Sequence, residues 1–170
     1  VDKIFDKLKE ILGNRPETEK IISLFNKYYI AENTFSQATR EFVNAIFGKH
    51  GLVIIDGDDR ALKQQMFEEF SKELINQENF KTINRTTKQI VELGYKPQIT
   101  PREINLFYLQ ENSRERIVFE NEKYHVLNTS LYFSEKEIIA ELETYPERFS
   151  PNVAFRPLYQ EKILPNLAYI

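Results

Sequence analysis

The chain closes with residues Phe149–Ile170, which read FSPNVAFRPLYQEKILPNLAYI and provide the clearest guide to the fold. Three prolines and several polar side chains are interleaved here with apolar residues. Such mixing is typical of a wall that faces a core on one side and a cleft on the other. The final apolar run, Leu167–Ile170, indicates a strand. The segment therefore predicts one side of a binding cleft.

Arg156 is the most informative residue of this segment. Pro157 disfavours the helical conformation at the residue before it, so we expect Arg156 to be extended and a helix to start near Pro157. A guanidinium beside a helix N-terminus, where backbone amides point outward, suits a carboxylate or a phosphate. An equally good interpretation pairs Arg156 with a structural acid such as Glu147 or Glu161. Asn152 is first a turn or capping residue and second an amide aimed at a ligand.

The composition excludes several classes of function. A chain of 170 residues can bury the core of about one domain. Its net charge of −3 gives no basic face for nucleic acid or for an anionic membrane. No apolar run approaches the roughly 18 residues of a membrane span. The absence of cysteine excludes disulfides, cysteine nucleophiles and thiolate metal sites. We expect neither a nucleic-acid nor a membrane partner.

The N-terminus carries no recognisable targeting signal. Residues 1–12, VDKIFDKLKEIL, contain acids and lack a cleavage pattern, so a secretory signal peptide is not expected. A chain without cysteine also fits a reducing compartment, and we expect the protein in the cytoplasm. The first residue is Val1 rather than methionine, which suggests an internal fragment of a longer protein.

Three amphipathic helices are predicted within residues 1–50. Apolar residues recur at helical spacing over the first twelve positions, a second helix starts near Pro16, and Asn33 or Thr34 caps a third. Aromatic stripes of this kind form a core far more often than they form a ligand site. The pattern therefore predicts a small helical layer.

The periodicity changes at Leu52–Ile55, a continuous apolar run before an acidic turn. Such a run predicts a strand buried on both faces, as in parallel sheets, and Asp58 or Asp59 can cap the helix that follows. Ligands of these sheets bind at the carboxyl ends of strands, which makes Asp56 a candidate ligand contact. A purely local role for Asp56 in the turn is the more common case. The chain contains no G-x-G-x-x-G or P-loop motif.

A small antiparallel β meander is predicted next. Residues 104–109, 116–120 and 124–127 are rich in β-forming residues, and Asn121–Lys123 has the composition of a hairpin loop. His125 lies on one of these segments without a second metal ligand at suitable spacing, so a satisfied strand histidine is the better interpretation.

A capped helix follows the meander. Ser134 and Glu137 have the spacing of a capping box, in which each residue bonds the other's backbone amide, and Pro146 ends the helix.

Several short motifs together resemble one family. The most specific motifs lie in the terminal segment, namely FSPNV at 149–153, RPLYQ at 156–160, LP at 164–165 and LAYI at 167–170. Four weaker motifs upstream occur in the family's order, namely FG at 47–48, GLVIID at 51–56, LGYKP at 93–97 and NLF at 105–107. From about residue 30 onward the chain resembles the cysteine ligases of bacillithiol biosynthesis, the BshC type. The resemblance implies an enzyme that adds cysteine to glucosaminyl-malate, the last step towards bacillithiol.

The resemblance also implies an architecture. The family's core is similar to the Rossmann fold of class I aminoacyl-tRNA synthetases, and its C-terminal coiled coil is associated with dimerisation. For this chain we expect an α/β fold, a partial Rossmann-like parallel sheet with a helical insertion and a small antiparallel β meander. The expected divisions are residues 1–50 for the helical insertion, 51–94 for a strand and helix of the core, 95–133 for the meander, and 134–170 for the capped helix and the return to the core sheet.

Under this hypothesis, four residues are candidate substrate contacts. Arg156 would bind a malyl or cysteinyl carboxylate or a phosphate, Asn152 and Gln160 would orient polar groups, and Asp56 could hold an amine. A ligase suggests a nucleotide cofactor, ATP or ADP, and the coiled coil of the full-length parent suggests a homodimer.

The chain is about a third of the family's length. It lacks the family's N-terminal region with a T-G-Q-Q-like loop, the glycine-rich run expected after Ile170 and the coiled coil. A cleft built from several strand ends would then be incomplete, so we predict that the isolated chain is inactive. The alternative hypothesis is a non-catalytic α/β interaction or scaffold module, which equally explains the absence of cysteine and of a histidine pair.

Overall fold

The computed structural model describes residues 2–164, which divide after Asp56 into two compact units. The described helices are α1 (Asp2–Leu12), α2 (Pro16–Tyr28), α3 (Phe35–Phe47), α4 (Arg60–Gln64), α5 (Phe67–Asn76), α6 (Glu78–Glu92), α7 (Glu135–Thr144) and α8 (Arg156–Ile163). The strands are β1 (Leu106–Gln110), β2 (Ser113–Glu120), β3 (Lys123–Val126), β4 (Tyr132–Phe133) and β5 (Phe149–Pro151). None of these helices has the length and apolar character needed to cross a membrane. The strand predicted at Leu167–Ile170 lies outside the described residues.

The first unit is the predicted helical layer of α1, α2 and α3. Thr34, rather than Asn33, caps α3 and accepts a hydrogen bond from the Gln37 amide at 3.2 Å. The aromatic rings of neighbouring helices contact each other, as in the pair Phe25–Phe42 with centroids 4.3 Å apart. The rings pack on one another but are only partly buried, and Phe35 and Phe47 of the α3 stripe are 79% and 48% exposed, so the predicted aromatic core is confirmed only in part.

The strand predicted at Leu52–Ile55 is wrong. This segment has no regular secondary structure and no hydrogen-bonded strand partner among the described residues, and Val53 is 77% exposed. An apolar run reveals a preference for burial but not whether a neighbouring strand is present, and without pairing it does not become a strand.

The second unit contains a five-stranded sheet with the order β4-β3-β2-β1-β5. All its pairings are antiparallel, with Phe107 of β1 opposite Arg116 of β2 and Ser150 of β5. The expected partial parallel sheet is therefore wrong for the described residues, whereas the antiparallel meander is confirmed in β1, β2 and β3. The terminal segment does return to a sheet, but through β5, which pairs with an edge of the meander.

The core of the second unit lies between one face of the sheet and the helices α5, α7 and α8. Alternate strand residues point into it, and its fully buried members include Phe70, Leu106, Ile138, Phe149 and Phe155. Burial of this apolar surface is the main stabilising term of the unit.

Local signals position the elements around this core. Asn121 and Glu122 both have positive φ, and they form a two-residue turn between β2 and β3. Ser134 and Glu137 form the predicted capping box at the start of α7. Asp59 caps α4, which ends at Gln64, so the single helix predicted after the acidic turn is divided into α4 and α5.

Candidate functional site

A concavity of about 500 Å³ lies beside the start of α8. Four of the described residues that line it are arginines, namely Arg102, Arg114, Arg116 and Arg156, and none is acidic. The volume lies in the range of small-molecule sites. Its lining therefore identifies this concavity as the candidate functional site.

Three different parts of the second unit bring these arginines together. Arg114 and Arg116 are two residues apart on β2 and so point to the same face of the sheet, away from the core. Arg102 precedes β1, and Arg156 is the first residue of α8. Glu115, between the two β2 arginines, points to the other face and accepts a hydrogen bond from Asn128 at 2.9 Å.

The Arg114 guanidinium is held in place by its neighbours. Its central carbon lies 3.8 Å from the centroid of the Phe107 ring, a cation–π contact. Its Nη2 also donates to the carbonyl oxygen of Pro151 at 3.1 Å. One nitrogen is engaged in this way, and the planar fork has further N–H donors for a ligand.

The start of α8 differs from the prediction. Arg156 is not extended but belongs to the helix, because the Asn152 turn brings its backbone amide within 2.8 Å of the Asn152 carbonyl oxygen. The Asn152 side-chain oxygen accepts from the amides of Ala154 at 2.8 Å and Phe155 at 3.1 Å. The amides expected to point at an anion are therefore used within the turn. Any anion bound here depends on guanidinium groups instead.

Glu147, one of the two acids suggested as a partner, does not pair with Arg156. Glu147 pairs with Arg60, with 3.0 Å between Nη1 and Oε2. Arg156 is exposed and forms no ion pair within residues 2–164.

A buried polar network supports the concavity from the protein interior. The side-chain oxygen of Asn105 accepts from the Arg102 amide and from Nδ2 of Asn152, each at 2.9 Å. Its Nδ2 donates to the Arg102 carbonyl oxygen at 2.7 Å and to Oε1 of Glu73 at 2.8 Å. The Asn105 side chain, which is fully buried, thus fixes the backbone at Arg102 and the turn that carries Arg156.

Glu73 is the acidic end of this network. It is almost fully buried, and it accepts from the Asn105 amide and from the Asn79 amide at 2.9 Å each, besides the Asn105 side chain. Burial raises the pKa of Glu73, while the hydrogen bonds from Asn105 and Asn79 oppose the rise. The carboxyl group is therefore a structural acceptor that points into the core rather than into the concavity.

The structure brings together two of the four predicted contacts, Asn152 and Arg156, which both line the concavity. Gln160 is exposed one helical turn after Arg156 on α8 and is not among the lining residues. Asp56 belongs to the first unit, where it accepts a hydrogen bond from the Ser36 hydroxyl. Arg102, Arg114 and Arg116 were not predicted as site residues from the sequence. The Arg-Glu-Arg alternation over residues 114–116 was the available signal, because it places two arginines on one face of a strand.

A second polar cluster, formed by Tyr108, Glu141 and Arg148, is structural. The Tyr108 hydroxyl donates to Oε1 of Glu141 at 2.6 Å, and Arg148 donates to the same oxygen at 2.6 Å. Burial and the bond to Glu141 raise the pKa of Tyr108 to about 12, so the phenol stays protonated and ties β1 to α7.

The two histidines show no sign of a metal centre. The His125 ring stacks on Tyr132 with centroids 4.2 Å apart, and its Nε2 lies 3.1 Å from the Thr129 carbonyl oxygen, which confirms the prediction of a satisfied strand histidine. His50 is exposed in the short 3-10 helix Gly48–His50. The described part of the chain has no group of three or more potential metal ligands.

Comparison with known proteins finds the same family that the sequence motifs resemble, and the match covers the whole length of this chain. The model of the family described as "Bacillithiol biosynthesis BshC, N-terminal Rossmann-like domain" matches residues 1–170. The protein named "Putative cysteine ligase BshC" of Flavobacterium johnsoniae is 47% identical over 159 residues, which are 94% of this chain and 30% of the relative. The protein of the same name from Christiangramia forsetii is 44% identical over all 170 residues and 32% of its own length. The chain therefore spans about a third of the length of the curated relatives it matches.

Proposed function

The chain belongs to the BshC family of bacillithiol biosynthesis, through its N-terminal Rossmann-like domain, and from this premise we propose that it forms part of a ligase that adds cysteine to glucosaminyl-malate. The structural observation that supports the proposal is the position of Arg156, which lines a concavity with three other arginines and no acid. An anionic substrate group would find a counter-charge there.

The proposed roles follow the chemistry of each side chain. Arg156 binds a carboxylate or phosphate of the substrate. Asn152 shapes the wall, since its amide oxygen is used in the turn, and Gln160 orients a polar group from the exposed side of α8. Asp56 holds an amine. We propose a cytoplasmic enzyme that uses a nucleotide and that forms a homodimer through the coiled coil of the full-length protein, with residues 1–50 as an insertion into its core.

Replacing Arg156 by glutamate in the full-length protein is expected to raise the KM for the anionic substrate by about 10- to 100-fold or to abolish turnover. The reason is that a charge-assisted hydrogen bond is replaced by repulsion. Steady-state kinetics of cysteine ligation measure the effect. Arg85→Glu, which reverses a charge on exposed α6, is the matched control and should leave the KM within about twofold of wild type. Unchanged kcat and KM in Arg156→Glu would show that Arg156 does not contact substrate.

The isolated 170-residue chain is expected to ligate no cysteine. A site assembled from several parts of a longer protein lacks binding groups when only about a third of that length is present. Mass spectrometry of the thiol product, with the full-length protein as positive control, measures this. Product formation by the chain alone would contradict the prediction. Inactivity of the full-length protein as well would favour the alternative of a non-catalytic interaction or scaffold module.

A further inference from the structure

The arginine-lined concavity has an unusual charge balance for this chain. The protein carries 26 acidic and 23 basic residues, so an arginine on its surface has many acids available as partners. Arg60 and Arg148 are paired in this way, with Glu147 and Glu141. The four arginines of the concavity form no ion pair with any residue from 2 to 164.

Convergence of like charges costs free energy unless something neutralises them. Four guanidinium groups around about 500 Å³ repel one another, and the adjacent acid Glu115 is turned to the opposite face. The fold nevertheless keeps Arg114 beside the other three through its contacts with Phe107 and the Pro151 carbonyl oxygen. A negatively charged ligand bound among the four arginines would offset this repulsion.

The Arg114 guanidinium, and the backbone that carries Arg102 and Arg156, are also positioned in advance of any ligand. Phe107 and the Pro151 carbonyl oxygen orient Arg114, and the buried side chain of Asn105 fixes the backbone of Arg102 and the Asn152 turn before Arg156. Ordering that exists before binding lowers the entropic cost of association. Each planar guanidinium can present paired N–H donors to one carboxylate or phosphate.

We propose that this concavity binds a small organic anion that carries at least two negative charges, and that Arg102, Arg114 and Arg116 are ligand contacts together with Arg156. The inference deepens the proposed role of Arg156, on which it partly rests, and it assigns the class of ligand. One carboxylate can accept about two guanidinium forks, whereas four arginines line this concavity. A dicarboxylate and a phosphorylated small molecule share the required chemistry.

Direct binding to the full-length protein tests the proposal without turnover. Isothermal titration calorimetry at about 0.15 M salt compares succinate and pyrophosphate with the monoanion acetate. We expect at least one of the two polyanions to bind about tenfold or more tightly than acetate. Tighter binding of succinate would assign a dicarboxylate, and tighter binding of pyrophosphate would assign a phosphorylated ligand. Equal affinity for all three anions would overturn the inference.

Matched variants locate the bound anion. Arg102→Gln and Arg116→Gln should each raise the Kd of the preferred anion by about tenfold, because each removes a charge-assisted contact. Arg116→Lys keeps the charge but not the fork and should give an intermediate Kd. Arg85→Gln removes the same charge from exposed α6 and should change the Kd less than about twofold. Equal weakening in Arg85→Gln and Arg116→Gln would contradict a specific site.

The outcomes separate this inference from the proposed function. A full-length protein that binds a polyanion through these arginines but ligates no cysteine would overturn the proposed ligase function alone. A protein that ligates cysteine, with Arg102→Gln and Arg116→Gln unchanged in KM and in anion affinity, would overturn the inference alone.

Discussion

Replacing Asn105 by alanine is expected to lower the free energy of unfolding by about 3–5 kcal/mol. The Asn105 side chain makes four hydrogen bonds, to Glu73, to Asn152 and to both backbone groups of Arg102. Alanine removes all four and leaves partly buried polar groups of Arg102 and Asn152 without these partners, and a buried unsatisfied group costs about 1–3 kcal/mol, while Glu73 keeps its bond from the backbone amide of residue 105. The network joins α5, the segment before β1 and the turn before α8, so no single element can relax alone to restore these bonds.

Urea unfolding of the 170-residue chain, followed by far-ultraviolet circular dichroism because the chain has no tryptophan, measures this change. Hydrogen exchange of the β1 amides assigns the change to the second unit. Asn76→Ala removes an exposed amide from the end of α5 and should stay within about 0.5 kcal/mol of wild type. A loss below about 1 kcal/mol in Asn105→Ala would show that the network contributes little to stability.

For the isosteric variant Asn105→Asp, we expect a loss of stability that depends on pH. It sets a second carboxylate against Oε1 of Glu73, whose pKa burial already raises. Two carboxyl groups in one buried site share a proton, so the folded-state pKa for loss of that shared proton lies above the carboxyl pKa values of the unfolded chain. Stability is therefore retained at pH values below the unfolded pKa and is lost as pH rises through the raised folded pKa. Unfolding of Asn105→Asp should approach wild-type behaviour only in acid.

Local sequence signals predicted several helix caps and one turn correctly, although the helix after the acidic turn is divided into α4 and α5 and α8 begins at Arg156. The Thr34 cap, the capping box of Ser134 and Glu137 and the turn at Asn121 and Glu122 depend on residues close in sequence. Side-chain capping and positive φ are properties of a few neighbouring residues, so a single sequence is enough to identify them.

Non-local pairing could not be predicted in the same way. The run Leu52–Ile55 has the composition of a buried parallel strand, but it has no hydrogen-bonded partner among the described residues. In contrast, Phe149–Pro151 is too short and too rich in proline to indicate a strand, yet it pairs with β1 about forty residues earlier. Pairing depends on what lies beside a segment in space, and composition carries little of that information.

In the candidate site, too, the residue with local signals was predicted and the residues that depend on non-local pairing were not. Arg156 was found because its neighbour Pro157 and the surrounding motif are local signals. Arg102 and the two β2 arginines joined it only when the register placed Arg116 opposite Phe107 and the Asn105 network fixed the backbone near Arg102. The sequence also predicted free backbone amides for an anion near Arg156. In the structure the amides of Ala154 and Phe155 donate to the Asn152 side chain, which the sequence alone does not reveal.

Replacing Phe155 by alanine is expected to cost about 3–5 kcal/mol of unfolding free energy, the other large effect. The Phe155 ring is fully buried and packs edge-to-face on Phe70 of α5, with centroids 5.3 Å apart. Alanine loses the buried area and leaves a cavity that the sheet and α5 cannot close, because Asn152 anchors the turn that precedes the ring.

Leu158→Ala on the same helix is the control, since Leu158 is 41% exposed and its truncation should cost no more than about 1 kcal/mol. Urea unfolding compares the two variants, and equal losses would show that Phe155 does not anchor α8. Phe155 immediately precedes Arg156, so its loss should also weaken anion binding in the concavity although the ring is not one of the lining residues. Weaker binding in Phe155→Ala with unchanged binding in Leu158→Ala would mean that the hydrophobic anchor of α8, and not the charge of Arg156 alone, sets the geometry of the site.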